Sequence, residues 1–162
     1  VDSYLRLIER VRAVRPDIAV SGDFIVGFPG ESDADFEATL RLVDEVRYAQ
    51  AYSFKYSRRP GTPAATMDDQ VDEAVMDERL QQLQAAINRH QHDFNKVSVG
   101  RRTQLLLERP GKLDGQLIGK TPWLQSAHLI APGLAIGDMV DVTLTVAWPN
   151  SLTAEVLEEV TA

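Results

Sequence analysis

The sequence predicts an α/β segment followed by an all-β barrel, with a long helix between them. Helical and strand patterns alternate over residues 1–56, and one helical repeat of apolar residues then runs over about 71–94. From residue 98 onward the period changes to the two-residue alternation of strands separated by turns. The 162 residues therefore suit two domains, which we predict over 1–97 and 98–162.

The first segment is predicted to run helix, strand, helix, strand. Apolar residues recur at helical spacing near the start, and Pro16 ends that helix before a strand over 18–26. Ser32 suits the N-cap of a second helix, with Asp35 three residues later as in a capping box. Alternation over 51–56 predicts the next strand. This order is typical of parallel βαβ units.

A glycine-rich loop follows the first strand. Phe24, Ile25 and Val26 are too few for a core helix and predict a strand that is buried on both faces. Gly27 and Gly30 permit backbone angles that other residues avoid. Loops at the carboxyl ends of parallel strands are where α/β folds bind ligands. The same residues also suit a plain turn.

The last segment is predicted to form a small barrel of about five short antiparallel strands. Residues alternate over 103–108 and 140–146, and turn signals stand at Pro110-Gly111 and Asp114-Gly115. Further strands are expected at 117–118, 127–130 and 152–157. Five strands suffice for a closed barrel of the oligonucleotide-binding (OB) kind, in which no sheet edge is left open.

Composition excludes several classes of function. With 44% hydrophobic and 25% charged residues the chain is ordinary for a soluble globular protein, and it has no apolar run of the roughly 20 residues that a membrane span needs. Its N-terminus lacks the features of a signal peptide, so we expect a cytoplasmic location and no membrane partner. The absence of cysteine excludes disulfides, zinc-thiolate sites and cysteine-ligated clusters within this chain.

The net charge of −7 argues against indiscriminate nucleic-acid binding, but the charge is unevenly distributed. Residues 98–124 hold five cations and two acids, a local charge of +3, whereas residues 125–162 hold five acids and no Lys or Arg. The barrel therefore begins on a basic stretch that suits phosphate contact.

Five segments, in this order, resemble the tRNA methylthiotransferases, a branch of the radical S-adenosylmethionine enzymes. They are GDFIVGFPGE from Gly22, YSRRPGTPAA from Tyr56, the long helix with Glu78-Arg79-Leu80, the stretch Asn95 to Gly100, and the closing block with Gly119-Lys120-Thr121 and Pro149-Asn150-Ser151. The closing block resembles the family's C-terminal TRAM domain, a small RNA-binding barrel. The resemblance implies the C-terminal part of a partial radical-SAM (β/α) barrel, a long helix and a five-stranded TRAM barrel.

The resemblance also implies the activity. It favours an enzyme that adds a 2-methylthio group to N6-prenylated adenosine beside the tRNA anticodon, and a relative acting on threonylcarbamoyl adenosine stays open. Family members use S-adenosylmethionine and two 4Fe-4S clusters held by cysteine triplets, which this chain lacks. The chain is thus expected to be an inactive fragment without catalytic residues of its own, whose partners are the tRNA anticodon stem-loop and the missing N-terminal part. An RNA-binding module without catalytic role, or another radical enzyme of similar architecture, remains an alternative.

Residues with a cofactor-binding role are carried over from the family motifs. Those expected near the adenine of S-adenosylmethionine are Ile25, Val26, Gly27, Tyr56 and Ser57. The family pattern places an acid three residues after Gly27, where this chain has Gly30 and then Glu31, so the role of Glu31 is open. Glu31, Asp33, Asp35 and Glu37 resemble a metal cluster by count, but we interpret them as serving the start of the second helix and predict no metal site.

The expected RNA contacts are basic residues. They are Arg58, Arg59, Arg101, Arg102, Lys112 and Lys120. Arg58 and Arg59 also suit a solvated surface cluster. Trp123 and Trp148 suit either the core or stacking on unpaired bases, and His128, alone in a strand, is interpreted as structural.

Overall fold

The computed structural model describes residues 1–157 and contains three α-helices, one short 3-10 turn and seven strands. The helices are α1 (Asp2–Val14), α2 (Asp33–Val46) and α3 (Glu73–Ser98), and the turn is Pro63–Thr66. The strands are β1 (Ser21–Val26), β2 (Gln50–Lys55), β3 (Arg102–Pro110), β4 (Gln116–Lys120), β5 (Ser126–Ile130), β6 (Met139–Ala147) and β7 (Leu152–Val156). The chain divides into two compact units within α3, after His90. The predicted domain boundary at 97/98 stays a prediction.

In the first unit, β1 and β2 pair in parallel, as the helix–strand order predicts. The register runs from Ser21 opposite Gln50 to Val26 opposite Lys55. The predicted strand over 18–26 is too long at its start, because pairing begins only at Ser21. The carboxyl ends of the two strands therefore lie side by side.

Helices cover one face of this two-stranded sheet. Val26, Val43, Val46 and Leu83 are fully buried in one core, which joins β1 to α2 and α3. Burial of each such side chain contributes about 1.5–3 kcal/mol. The core is thus built where alternate β1 residues meet the apolar stripes of two helices.

The other face of the sheet is exposed, so the expectation of a strand buried on both faces is wrong for this chain. Ile25, Tyr52 and Phe54 are 57%, 55% and 54% exposed. Ile25 lies opposite Phe54 in the register, so both project on the same face. Among the described residues only one face of β1 and β2 is packed, because α2 and α3 both pack on the face that carries Val26.

The ends of α2 and α3 follow from local chemistry. The Ser32 hydroxyl accepts a hydrogen bond from the Asp35 amide, and the Asp35 carboxylate accepts one from the Ser32 amide, which confirms the predicted capping box. Helix α3 begins two residues later and ends four residues later than the predicted 71–94. The prediction from the apolar stripe stopped before the last turn of α3, because the buried residues of that turn, Asn95 and Ser98, are polar.

The second unit is a closed five-stranded barrel with strand order β3-β4-β5-β7-β6. The alternation predicted along β3 and β6 is confirmed, since Leu105, Leu107, Val142 and Leu144 are buried in the barrel core. The strands are not all antiparallel, because β5 and β7 pair in parallel. This parallel pairing was not predicted, because β5 and β7 are not consecutive in sequence and no turn between them marks the pairing. The end of the predicted second domain, 158–162, lies outside the described residues.

Within residues 1–157, no helix is both long and apolar enough to cross a membrane.

Candidate functional site

The loop after β1 requires glycine at residue 27. Gly27 has a φ of +74°, and a Cβ placed there would lie 2.2 Å from Met76 Cγ. Gly30 also has a positive φ, +84°, but has open space around it. The Glu31 amide donates to the Phe28 carbonyl at 2.9 Å and closes the turn. The Gly27 backbone therefore lies closer to α3 than it could if residue 27 carried a side chain.

Glu31 and Arg79 hold this loop from within. Glu31 Oε2 accepts hydrogen bonds from the Gly27 amide and from Arg79 Nη1, both at 2.7 Å. Arg79 also donates to the Glu31 carbonyl at 3.1 Å and to Asp33 Oδ1 at 2.7 Å. Burial lowers the pKa of Arg79, but its hydrogen bonds to Asp33 and Glu31 outweigh burial and raise that pKa. Arg79 therefore stays charged.

This arrangement corrects the interpretation of the acidic residues near α2. Asp35 does serve the helix start, but Glu31 and Asp33 pair with Arg79. Glu37 lies on the surface opposite Arg41, one turn along the helix. The residues described contain no group of three or more His, Cys, Asp or Glu placed to hold a metal ion. The partner of Glu31 lies 48 residues away in sequence, so no local pattern indicates it.

The end of β2 borders a cavity of about 590 Å³ in the first unit. Tyr56, Ser57 and Arg58 line it, together with Gln70 and Met76. Arg58 Nε donates to Gln70 Oε1 at 2.9 Å, which holds the guanidinium at the cavity wall. Arg58 is exposed at this wall, so phosphate contact and a solvated surface cluster both stay predictions for it.

The Tyr56 hydroxyl is buried and has no hydrogen-bond partner within residues 1–157. Its ring meets the Phe28 ring edge-on, with centroids 5.3 Å apart. The Tyr56 amide donates to the Val26 carbonyl at 2.8 Å, which joins the two strand ends. Because a buried hydroxyl normally has a partner, this oxygen is a candidate ligand contact.

The structure brings most of the predicted cofactor residues to one edge of the sheet. Gly27, Tyr56 and Ser57 lie at adjacent strand ends, and Ile25 presents its side chain on the exposed face. Val26 is fully buried in the core and offers only its backbone. Arg59 is exposed in the loop beyond, where its carbonyl accepts from Thr62.

The barrel carries a groove of about 450 Å³ between the β3–β4 and β6–β7 loops. Its lining includes Arg109, Lys112, Ile118, His128 and Asn150. In OB barrels, the corresponding two loops flank the face that binds oligonucleotides. The groove combines two cations with the apolar residues Leu113, Ile118 and Ala127, which suits a phosphate and a base.

Trp148 and His128 share a hydrogen-bond partner beside this groove. Trp148 Nε1 donates to Thr153 Oγ1 at 3.0 Å, and Thr153 Oγ1 lies 3.2 Å from His128 Nε2. Trp148 remains 49% exposed as a residue. Its indole is therefore held in place while part of its surface stays accessible.

A buried polar network supports the same loop. Asn95 Nδ2 donates to the Trp148 carbonyl at 3.1 Å. Gln125 Nε2 donates to Asn95 Oδ1 at 2.9 Å and to Ser98 Oγ at 3.1 Å. Gln125 thus satisfies both Asn95 and Ser98, which lie at the end of α3, inside the second unit, so these polar side chains can be buried.

The four predicted RNA-contacting residues of the barrel lie in different places. Lys112 lines the groove, and Lys120 Nζ donates to Ser126 Oγ, at 2.9 Å, in the groove wall. The Arg101 guanidinium lies over the Trp123 ring, 4.9 Å from its centroid, and Arg102 is exposed at the start of β3. Neither arginine is among the groove residues. Arg109 does line the groove, although it is not among the predicted contacts; its position in the basic stretch was the available signal.

These features define an architectural class: a parallel α/β unit with a tightly held glycine loop at its strand ends, followed by a small OB-type barrel with a basic groove. The chain is 73% identical, over 97% of its length, to a tRNA-2-methylthio-N(6)-dimethylallyladenosine synthase of Sphingopyxis alaskensis. Synthases of the same name from Erythrobacter litoralis and Zymomonas mobilis are 65% and 58% identical over 99% and 98% of the chain. No protein-family model matches the chain.

The chain belongs to the family of these synthases, which confirms the resemblance to tRNA methylthiotransferases. It spans 35–36% of the length of these three relatives.

Proposed function

We propose that this chain is the C-terminal part of a radical S-adenosylmethionine methylthiotransferase that acts on N6-prenylated adenosine beside the tRNA anticodon. The observation that carries the proposal is the 73% identity over 97% of the chain to a relative named for that reaction. The chain spans 35% of that relative, so most of the enzyme is supplied by residues outside this sequence.

The exposed sheet face fits a partial (β/α) barrel. Ile25, Tyr52 and Phe54 form an apolar face that the described residues leave open. We propose that this face is part of the interior of a barrel completed by the rest of the enzyme. The ligands of such barrels bind at the carboxyl ends of the strands, which is where Gly27 and Ser57 lie.

The strand ends suit the nucleoside portion of S-adenosylmethionine. Ile25 offers an apolar surface, Gly27 and Ser57 offer backbone groups, and the Tyr56 hydroxyl lacks a partner among the described residues. With no cysteine, the chain supplies no thiolate to the two 4Fe-4S clusters, which we assign to the N-terminal remainder. When bound, the cofactor supplies the radical chemistry, and these residues orient its adenine.

We propose that the barrel binds tRNA as a TRAM domain. Lys112 and Arg109 line a groove with apolar lining residues, and the exposed Trp148 on the neighbouring loop suits stacking on an unpaired base. Lys120 extends this basic surface, and Arg58, Arg59, Arg101 and Arg102 are proposed as further phosphate contacts. Phosphate contacts would make the affinity fall as salt rises.

Deleting the gene that encodes this chain, followed by mass spectrometry of tRNA nucleosides, tests the proposed reaction. We expect the prenylated adenosine to lose its methylthio group and the wild-type gene to restore it. Unchanged methylthio content would refute the proposal. Loss of methylthio from threonylcarbamoyl adenosine instead would assign the chain to the related enzyme.

Two matched variants test the groove. Lys112→Gln and Arg102→Gln each remove one exposed cation from the barrel, but only Lys112 lines the groove. With anticodon stem-loop RNA and the full-length enzyme, we expect Lys112→Gln to weaken binding by about tenfold and Arg102→Gln by about twofold, each with a shallower salt dependence. Equal losses would show that the groove has no special role.

A further inference from the structure

We propose that Arg79 is a positioning residue that holds the Glu31 carboxylate, and through it the Gly27 backbone, in the geometry needed to receive the cofactor. The inference rests on the proposed function, because a cofactor must lie against this loop for its position to affect the reaction.

One oxygen of the Glu31 carboxylate is shared between two donors. Glu31 Oε2 accepts from both the Gly27 amide and Arg79 Nη1, and the Glu31 side chain is only 11% exposed. A carboxylate buried without a countercharge is costly, so removal of the guanidinium favours its turning toward solvent. The Gly27 amide would then lose its acceptor. Arg79 thus acts on Gly27 without touching it.

Arg79 is itself held in place by several contacts. Its guanidinium also donates to the Glu31 carbonyl and to Asp33 Oδ1, and it lies over the Phe36 ring, 5.6 Å from the centroid. The side chain is 7% exposed. A lysine cannot reproduce this fork of donors, since its ammonium is a compact point charge.

Helix α3 also packs directly against the loop. Met76, one turn before Arg79, lies where a Cβ of residue 27 would be. One helix therefore both limits the approach of the Gly27 backbone and tethers the loop through Glu31.

Another ion pair on α3 provides a control. Arg89 Nη2 donates to Asp44 Oδ1 at 2.6 Å, but both side chains are more than half exposed, and neither forms a described bond to the loop. Arg89→Met therefore removes an arginine pair from the same helix without touching the Glu31 network.

The experiment compares Arg79→Met, Arg79→Lys and Arg89→Met in the full-length, cluster-loaded enzyme. Hydrogen exchange of the peptide covering 24–32 reports on the loop whatever it binds. Steady-state kinetics then give KM separately for S-adenosylmethionine and for tRNA. For Arg79→Met we expect about tenfold faster exchange and an about tenfold higher KM for S-adenosylmethionine, with KM for tRNA within about twofold. Arg79→Lys should recover part of both losses, and Arg89→Met should show neither.

Unchanged exchange in Arg79→Met would overturn the inference itself. Faster exchange with an unchanged KM for S-adenosylmethionine would also overturn it, and would locate the error in the proposed contact between loop and cofactor. Equal rises in both KM values would show a general structural defect and contradict the positioning role.

A double variant covers the case in which Arg79→Met does not fold. Glu31→Gln with Arg79→Met keeps an acceptor for the Gly27 amide and leaves no buried charge. We expect the double variant to fold. Hydrogen exchange of its peptide covering 24–32 should rise above the wild-type rate by less than half of the rise that full exposure of this loop to solvent would produce. Full exchange in the double variant would mean that the charge pair does not act through the Gly27 hydrogen bond.

Discussion

Replacement of Gly27 by alanine tests the close approach between the β1 loop and α3. Two costs add in this variant. A φ of +74° is unfavourable for alanine by about 1–2 kcal/mol. The new methyl carbon would stand 2.2 Å from Met76 Cγ and 2.5 Å from its Sδ, so the Met76 side chain, the helix or the loop must move. Such overpacking costs about 1–3 kcal/mol, and we expect a total loss of about 2–5 kcal/mol in the free energy of unfolding.

Gly30→Ala separates these two costs. Gly30 has a similar φ, +84°, but no atom lies within 4 Å of the position that an alanine methyl group would occupy there. We therefore expect Gly30→Ala to cost about 1–2 kcal/mol, from backbone strain alone. The difference between the variants measures the steric cost. In a Met76→Ala background, the cost of Gly27→Ala should fall to that of Gly30→Ala.

The assay is urea unfolding of the chain followed by two probes. Far-ultraviolet circular dichroism reports on the helices, whereas both tryptophans, Trp123 and Trp148, lie in the barrel. The dichroism transition should shift in Gly27→Ala while the fluorescence transition stays in place. Equal costs for Gly27→Ala and Gly30→Ala, or a cost that persists without the Met76 side chain, would refute the steric argument.

Three other changes have defined outcomes. The hydrogen bond from His90, with the Arg89 charge, lowers the pKa of Asp44, so Asp44→Asn should be less stable than wild type at neutral pH; the difference should shrink as the pH falls and vanish below that lowered pKa, where the carboxylate is protonated in both the folded and the unfolded state. Asn95→Ala removes the donor to the Trp148 carbonyl and one of the two acceptors of the Gln125 amide, and should cost about 1–3 kcal/mol in the fluorescence-detected transition. Ser32→Ala removes the α2 cap and should cost about 1 kcal/mol by circular dichroism.

The barrel strands were predictable because the alternation that marks a strand lies within a few consecutive residues. Leu105 and Leu107 alternate with exposed neighbours along one strand, so the sequence itself shows which side chains face the barrel core. The parallel pairing of β5 with β7 was not predictable, since it joins strands with β6 between them in sequence and depends on barrel closure. The exposed face at Ile25 was not predictable for a similar reason. Apolar residues on a strand indicate that both faces are buried, but they do not show which other residues pack against each face.

The candidate site was predictable in part. The strand ends and the glycine loop follow from sequence, and parallel pairing brings Gly27 and Tyr56 to one edge. The pairing of Glu31 with Arg79 did not follow, because these residues lie 48 positions apart and the acids near Ser32 also suit a helix start. In the barrel, the local excess of cations was enough to predict Lys112 as an RNA contact. It could not predict the groove, because the groove depends on how two loops lie relative to each other in the folded barrel.

The most direct test of the account is a chimeric enzyme. This chain would replace the matching residues of the Sphingopyxis alaskensis synthase, to which it is 73% identical, in cells that lack the methylthio modification. Mass spectrometry of their tRNA should then show 2-methylthio groups restored on prenylated adenosine. A chimera that accumulates as folded protein, yet leaves the tRNA unmodified, would contradict the assignment of this chain to the methylthiotransferase.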